Sequence, residues 1–193
     1  MIVPLHIPQL TKFSDDELVA FCMANPELTV ERDESGQLFI SISPTYALTS
    51  SNNSELIAEL VLWNRRKGNG KVLESSGGFF LPDTSMRVPD VAWVRNEQWE
   101  RLTPAEKKSF PKLTPDFVIE LKSDTDSLAE LQKKMEKWIG NGVRMGWLII
   151  PENAETHIYL PGSPVMIQPF EALLEGGGVL PGFGVRLSEI LEY

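Results

Sequence analysis

The sequence predicts an α/β or α+β fold in which helices flank a mixed central sheet. Residues 116–150 read as strand, helix, strand, with enough length for a crossover between parallel strands. Segments of 3.6-residue apolar periodicity alternate with short apolar runs along the 193 residues. Hydrophobic residues at 42% and charged residues at 23% match a globular domain long enough to bury a core without disulfides.

The elements follow in order. Ser14, with Glu17 three positions on, forms a capping box, so a short helix is predicted over 14–24, with Leu18, Phe21 and Cys22 inward and Pro26 as its stop. Residues 28–33 and 37–42 alternate apolar with polar around Glu34-Ser35-Gly36 and predict a hairpin. Residues 44–53, rich in Ser and Asn, read as a polar loop. The helix after it, 54–67, rests on Leu56, Ile57, Leu60, Val61 and Trp63 and ends at Asn69-Gly70. Strand pieces at 72–74, 78–81 and 91–94 are punctuated by Gly77-Gly78 and Pro82-Asp83.

Residues 96–110 read as a helical excursion capped by Thr103-Pro104. The strongest strand is 116–122. The helix at 127–139 carries Leu128, Leu131, Met135, Trp138 and Ile139 on one stripe. A fully buried strand at 146–151, a partly exposed neighbour at 156–160, a loop at Gly176-Gly177-Gly178 and a short helix or strand near 187–192 complete the chain. The expected organisation is one domain over 1–193, with a helix-and-hairpin decoration in 1–40 and the core in 40–185.

Composition narrows the function. The 18 Lys and Arg against 27 Asp and Glu give a net charge of −9, which argues against a basic nucleic-acid coat or a membrane-surface protein. No run of 18 apolar residues predicts a membrane span, and the opening Met1-Ile2-Val3-Pro4-Leu5 does not read as a secretory signal. The single Cys22 fits a reducing compartment, so a cytoplasmic setting is expected. His6 and His157 stand alone, and Trp63, Trp93, Trp99, Trp138 and Trp147 read as core packing. Arg65, Arg66, Lys67 and Lys71 form a basic patch that either touches a phosphate backbone or complements its own helix dipole.

Two carboxylates sit where carboxylates are costly. Asp90 follows Pro89 and precedes the apolar Val91-Ala92-Trp93-Val94, and Glu120 lies inside Phe117-Val118-Ile119-Glu120-Leu121. Strand periodicity points Lys122 to the same side as Glu120. A solvated edge-strand ion pair would satisfy this pattern. So would a phosphodiester-cleaving site, where two carboxylates hold a hard divalent cation and an ammonium steadies the attacking water or the charge on phosphorus. Asp116 shares the parity but lies four residues, about 13 Å of strand, from Glu120, too far to share one ion.

Pro89-Asp90, then Glu120-Leu121-Lys122, resembles the PD-(D/E)xK nuclease superfamily. More narrowly, the chain is similar to a large bacterial family of restriction-endonuclease-like proteins, formerly a domain of unknown function. The likeness runs through Ser43-Pro44-Thr45, Leu81-Pro82-Asp83, Pro115-Asp116-Phe117, Leu131-Gln132-Lys133-Lys134-Met135, Gly142-Val143-Arg144-Met145-Gly146-Trp147 and Leu180-Pro181-Gly182-Phe183. It implies a restriction-endonuclease-like core and a Mg²⁺-dependent endonuclease acting on DNA, with Mn²⁺ as a substitute ion. It implies Asp90, Glu120 and the Leu121 backbone carbonyl as metal ligands, Lys122 as the catalytic lysine and Gln132 as a helix glutamine near the metal. Lys134 is a further candidate for a phosphate contact. Glu55 and Glu59 are counterparts of an extra acid that some such nucleases carry on their first core helix. DNA is the implied transient partner, with no membrane, and a homodimer would allow both strands to be cut. The alternative reading is a catalytically inactive nuclease-fold protein that binds nucleic acid or a protein partner.

Overall fold

The structure, a computed structural model, describes residues 2–5, 13–42 and 46–193. Along the chain come β1 (Ile2–Leu5), α1 (Asp15–Ala24), β2 (Leu28–Arg32), β3 (Leu38–Ile42), α2 (Ala47–Lys67), β4 (Gly70–Glu74), β5 (Phe79–Phe80), β6 (Met86–Arg87), β7 (Val91–Arg95) and α3 (Asn96–Trp99). After a 3₁₀ turn at Glu106–Lys108 follow β8 (Phe117–Leu121), α4 (Leu128–Gly140), β9 (Met145–Ile150), β10 (Glu155–Tyr159), β11 (Met166–Pro169), β12 (Leu174–Glu175) and β13 (Gly184–Val185). His6 and Ser43-Pro44-Thr45 lie outside the described residues. No helix among the described residues is long and apolar enough to cross a membrane.

A six-stranded mixed sheet in the order β11-β10-β9-β8-β7-β4 forms the centre. Only β8 and β9 run parallel in it, joined by α4 as the strand–helix–strand pattern predicts. Strand alternation divides the core. On one face Leu56, Leu60 and Trp63 of α2 pack against Trp93, Ile119 and Trp147. On the other, Leu131, Met135 and Trp138 of α4 pack against Ala92, Val118 and Leu148. Four of the five tryptophans are buried here as core; the fifth, Trp99, is partly buried, and Lys107 lies over its ring.

A second sheet, β1-β3-β2-β6-β5, packs with α1 around Leu18, Val30, Leu38, Phe80 and Met86. It is not confined to residues 1–40. The hairpin β5–β6 covers what would be a bare edge of β2, pairing Arg32 with Met86, because an open edge of unpaired N–H and C=O groups is unfavourable. The N-terminal hairpin is thereby joined to the segment that leads into β7.

Helix α2 starts at Ala47, earlier than the predicted 54, so the polar stretch over 47–53 is helical and not a loop. Ser and Asn disfavour helix interiors because their side chains compete for backbone groups. Here Asn52 finds a distant partner instead: its Nδ2 donates to the Glu192 carbonyl at 2.7 Å, and the Glu192 N–H donates to its Oδ1 at 3.0 Å. Gly68, at φ 66°, ends the helix in a left-handed conformation. The 96–110 excursion is only the one-turn α3 and the 3₁₀ turn, which starts after Ala105 and not at the predicted Thr103-Pro104; the Thr103 and Glu106 side chains each accept the other's backbone N–H.

Candidate active site

The β7–β8 register pairs Val91 with Ile119 and Ala92 with Val118. Carried one residue further, it sets Asp90 opposite Glu120. Alternation puts both on the α4 face, Asp90 with Ala92 and Glu120 with Val118. Residues directly opposite on an antiparallel pair have Cβ atoms about 4.5–5.5 Å apart. The two carboxylates that stand out in the sequence therefore share one face of the sheet.

Carried one residue more, the register sets Pro89 opposite Leu121. The Lys122 N–H donates to the Ile149 carbonyl on the β9 side, so the N–H and C=O of Leu121 face β7. Proline has no N–H to return to the Leu121 carbonyl. The Leu121 N–H donates to Asp90 Oδ2 at 2.7 Å instead of to backbone. The Pro-Asp pair thus ends the ladder, anchors the Asp90 carboxylate and leaves the Leu121 carbonyl without a ladder donor.

Helix α4 supplies the rest. Lys134 and Trp138, one turn apart, reach Glu120 together: the Lys134 ammonium donates to Oε2 at 3.0 Å and Trp138 Nε1 donates to Oε1 at 2.8 Å. The same ammonium donates to the Val88 carbonyl at 2.8 Å and meets Glu31 Oε1 at 2.9 Å. Glu31 comes from β2 in the second sheet. It accepts the Val88 N–H at 2.8 Å and pairs with Arg87 at 3.3 Å.

The other candidates fall as follows. Lys122 is buried, and its ammonium donates to Glu152 at 2.8 Å and to the Ser123 carbonyl at 3.2 Å. Gln132 is half-buried on α4, two residues from Lys134 and so on a different side of that helix. Glu55 is exposed and Glu59 half-buried on α2, which packs against the opposite face of the sheet. Asp116, at the far end of β8, accepts from the Arg95 N–H, the Arg95 guanidinium and Gln98, in a network of its own. Glu31 and the inward reach of Lys134 escaped the sequence reading. Glu31 looks like the solvent face of an alternating hairpin, and Lys134 sits in a run with Lys133 and Lys137 that resembles a solvated helix face.

The electrostatics follow from three carboxylates around one ammonium. Burial pushes Glu120 up to about 8; Lys134 opposes this, and Asp90 and Glu31 add to it. Asp90 is raised in the same way, chiefly by burial. For Glu31 burial acts upward too, but Lys134, Arg87 and the Val88 N–H together hold it below the usual carboxylate range. A carboxyl raised in the folded state binds more protons there than in the unfolded chain. Its contribution is most favourable below pH 4.5 and declines as pH rises toward about 8. Melting temperatures in chelator should therefore fall over that interval in the wild type, and less steeply in Glu120→Gln. Equal slopes would show that Glu120 is not the titrating group.

Among the described residues no three His, Cys, Asp or Glu side chains converge as a metal cluster. The oxygen donors at the site are Asp90, Glu120 and the Leu121 carbonyl, a set that suits a hard cation which keeps several of its waters.

A solved structure titled as a putative nuclease belonging to DUF820 from Anabaena variabilis is similar to this chain, with a TM-score of 0.69, 21% identity, and coverage of 83% of this chain and 88% of that one. That likeness shows a shared fold. No curated protein matches the chain. Residues 15–188 match the family Uma2, described as "Putative restriction endonuclease", and the chain belongs to that family.

Proposed function

We propose that the protein is a Mg²⁺-dependent endonuclease that hydrolyses DNA phosphodiester bonds. The observation that carries this reading is the pairing of half-buried Asp90 with buried Glu120 on one sheet face, with the Lys134 ammonium against Glu120. Two carboxylates raised by burial are poor neighbours for each other and good ligands for a divalent cation. Asp90, Glu120 and the Leu121 carbonyl would hold it. When bound, its chemistry is polarisation of a phosphate oxygen and acidification of a water ligand.

Lys134 takes the part that the Glu-x-Lys pattern assigns to Lys122. Its ammonium is already fixed at the carboxylate site, where it balances charge developing on phosphorus. Trp138 fixes the orientation of the Glu120 carboxylate and, with Met135 and Leu131, walls the site on the α4 side. Residues 1–193 act as one unit in this reading, in a cytoplasm where the buried Cys22 thiol stays reduced.

The test is incubation of supercoiled plasmid and of single-stranded DNA with the protein and Mg²⁺ or Mn²⁺. Cleavage that EDTA abolishes is the expected result. A protein that binds Mn²⁺ and shifts labelled DNA without cutting either substrate would instead support the inactive, nucleic-acid-binding alternative. The Lys122–Glu152 pair, which holds that lysine off the carboxylates, is the observation that favours this alternative.

A further inference from the structure

We propose that Glu31, on a strand outside the central sheet, is a positioning residue that holds the Lys134 ammonium beside Glu120 and so leaves Glu120 able to take a cation. The proposal deepens the cation-site reading and rests on it. An ammonium has three N–H donors, and Lys134 has three acceptors: the Val88 carbonyl at 2.8 Å, Glu31 at 2.9 Å and Glu120 at 3.0 Å. All three donors are spent, so the side chain has one well-defined place.

Glu31 is itself anchored. It is 8% exposed, one oxygen accepts the Val88 N–H and the other faces the Arg87 guanidinium, which also lies over the Phe39 ring at 5.9 Å. Both anchors are adjacent: Arg87 ends β6, and Val88 opens the short segment that runs into Pro89-Asp90. The second sheet is thereby tied to the carboxylate site through one residue.

The consequence is electrostatic. A cation at Asp90 and Glu120 and an ammonium at Glu120 repel one another. With Glu31 present, the ammonium's charge is shared between two carboxylates, and Lys134 stays alongside the cation. With Glu31 neutral, Glu120 becomes the only charged acceptor of the three, and the ammonium competes with the cation for it. Glu31 therefore acts through Lys134, which makes its effect dependent on that lysine.

The experiment is a double-mutant cycle on the full chain, with Glu31→Gln, Lys134→Met and the pair combined, read by calorimetric titration with Mn²⁺ alone. Glu31→Gln should weaken Mn²⁺ binding roughly tenfold or more, the scale of a unit charge redistributed over a few ångströms at an effective dielectric near 20. In the Lys134→Met background the same substitution should change it less than about twofold, since there is no ammonium to release. At saturating Mn²⁺, Glu31→Gln should lower the single-turnover rate on plasmid while leaving the DNA concentration for half-maximal rate unchanged.

Equal losses of Mn²⁺ affinity in both backgrounds would overturn the proposal, because Glu31 would then act by its own charge or through the fold. No loss in either background would overturn it too. If Glu31→Gln alone fails to fold, Glu31→Asp, whose shorter side chain draws the carboxylate back from Lys134, takes its place in the same cycle with the same outcomes deciding. A wild type that binds no Mn²⁺ overturns the cation site and the positioning role together. A wild type that binds, with additive losses, overturns the positioning role alone.

Discussion

Lys134→Met should lower single-turnover cleavage about 10²–10³-fold, the size associated with losing one preorganised positive group beside developing negative charge. Methionine keeps much of the packing volume of the lysine stem and removes the ammonium. The Val88 carbonyl and two carboxylates then lose a shared donor, but Glu31 keeps Arg87 and the Val88 N–H, and Glu120 keeps Trp138. Circular dichroism of the variant separates this loss from unfolding. Lys122→Met should cost far less, because that ammonium is engaged by Glu152 and the Ser123 carbonyl and not by Asp90 or Glu120. The order of the two effects is the informative quantity. If Lys122→Met is the more damaging, the lysine of the Glu-x-Lys pattern moves into the site when substrate binds, and the assignment of Lys134 fails.

Glu120→Gln and Asp90→Asn should each abolish the heat of Mg²⁺ or Mn²⁺ binding and, with it, cleavage. A metal contributes several kcal/mol of transition-state stabilisation, so the rate should fall roughly a thousandfold or more. Both substitutions preserve shape, and each leaves an amide oxygen to accept the bond that holds the side chain: the Leu121 N–H for Asp90, and Trp138 Nε1 for Glu120. Unlike the lysine variant, these should lose the cation itself, so calorimetry and cleavage should fail together. Retained Mn²⁺ binding in both would place the ion elsewhere and remove the main support for the nuclease reading.

In the proposed reading, the −9 charge of the chain bears on how DNA would be reached. Neutralising phosphates supplies much of the affinity of proteins for DNA, so a chain of net negative charge depends on local patches. Arg65, Arg66 and Lys67 at the end of α2, and Lys71 on β4, are exposed. Gly70 of β4 pairs with Arg95, while Asp90 lies at the opposite end of β7, so this patch sits toward the far end of the sheet from the carboxylates.

Much of the centre of the molecule was legible in the sequence because it rests on short-range periodicity. Glu120 stands out because a strand buried on both faces has no cheap place for a charge, and period-two alternation then gives its direction. The apolar stripe of α4 and the run at 146–151 similarly specify a helix lying across paired strands. Pro89 before Asp90 is a local signal as well, since its missing N–H ends a ladder wherever it falls.

Only the tertiary structure decided which charges meet. Glu31 and Glu120 are far apart in sequence, and nothing in an alternating hairpin distinguishes a glutamate facing water from one facing a half-buried lysine. That choice was made when β2 packed so that Glu31 meets Lys134 of α4. Lys134 differs from Lys133 only in its angle around the helix, and that angle acquires meaning once the helix lies over β8. Asn52 follows the same rule, accepted within α2 because the backbone of Glu192 arrives to satisfy it. Burial and hydrophobic periodicity are properties of neighbouring residues, so the sequence by itself determined the central strands and their flanking helices and made Asp90 and Glu120 stand out, while their pairing was implied only by the family resemblance. Pairing between buried charges depends on distances of a few ångströms between separate elements, which exist only after those elements have packed.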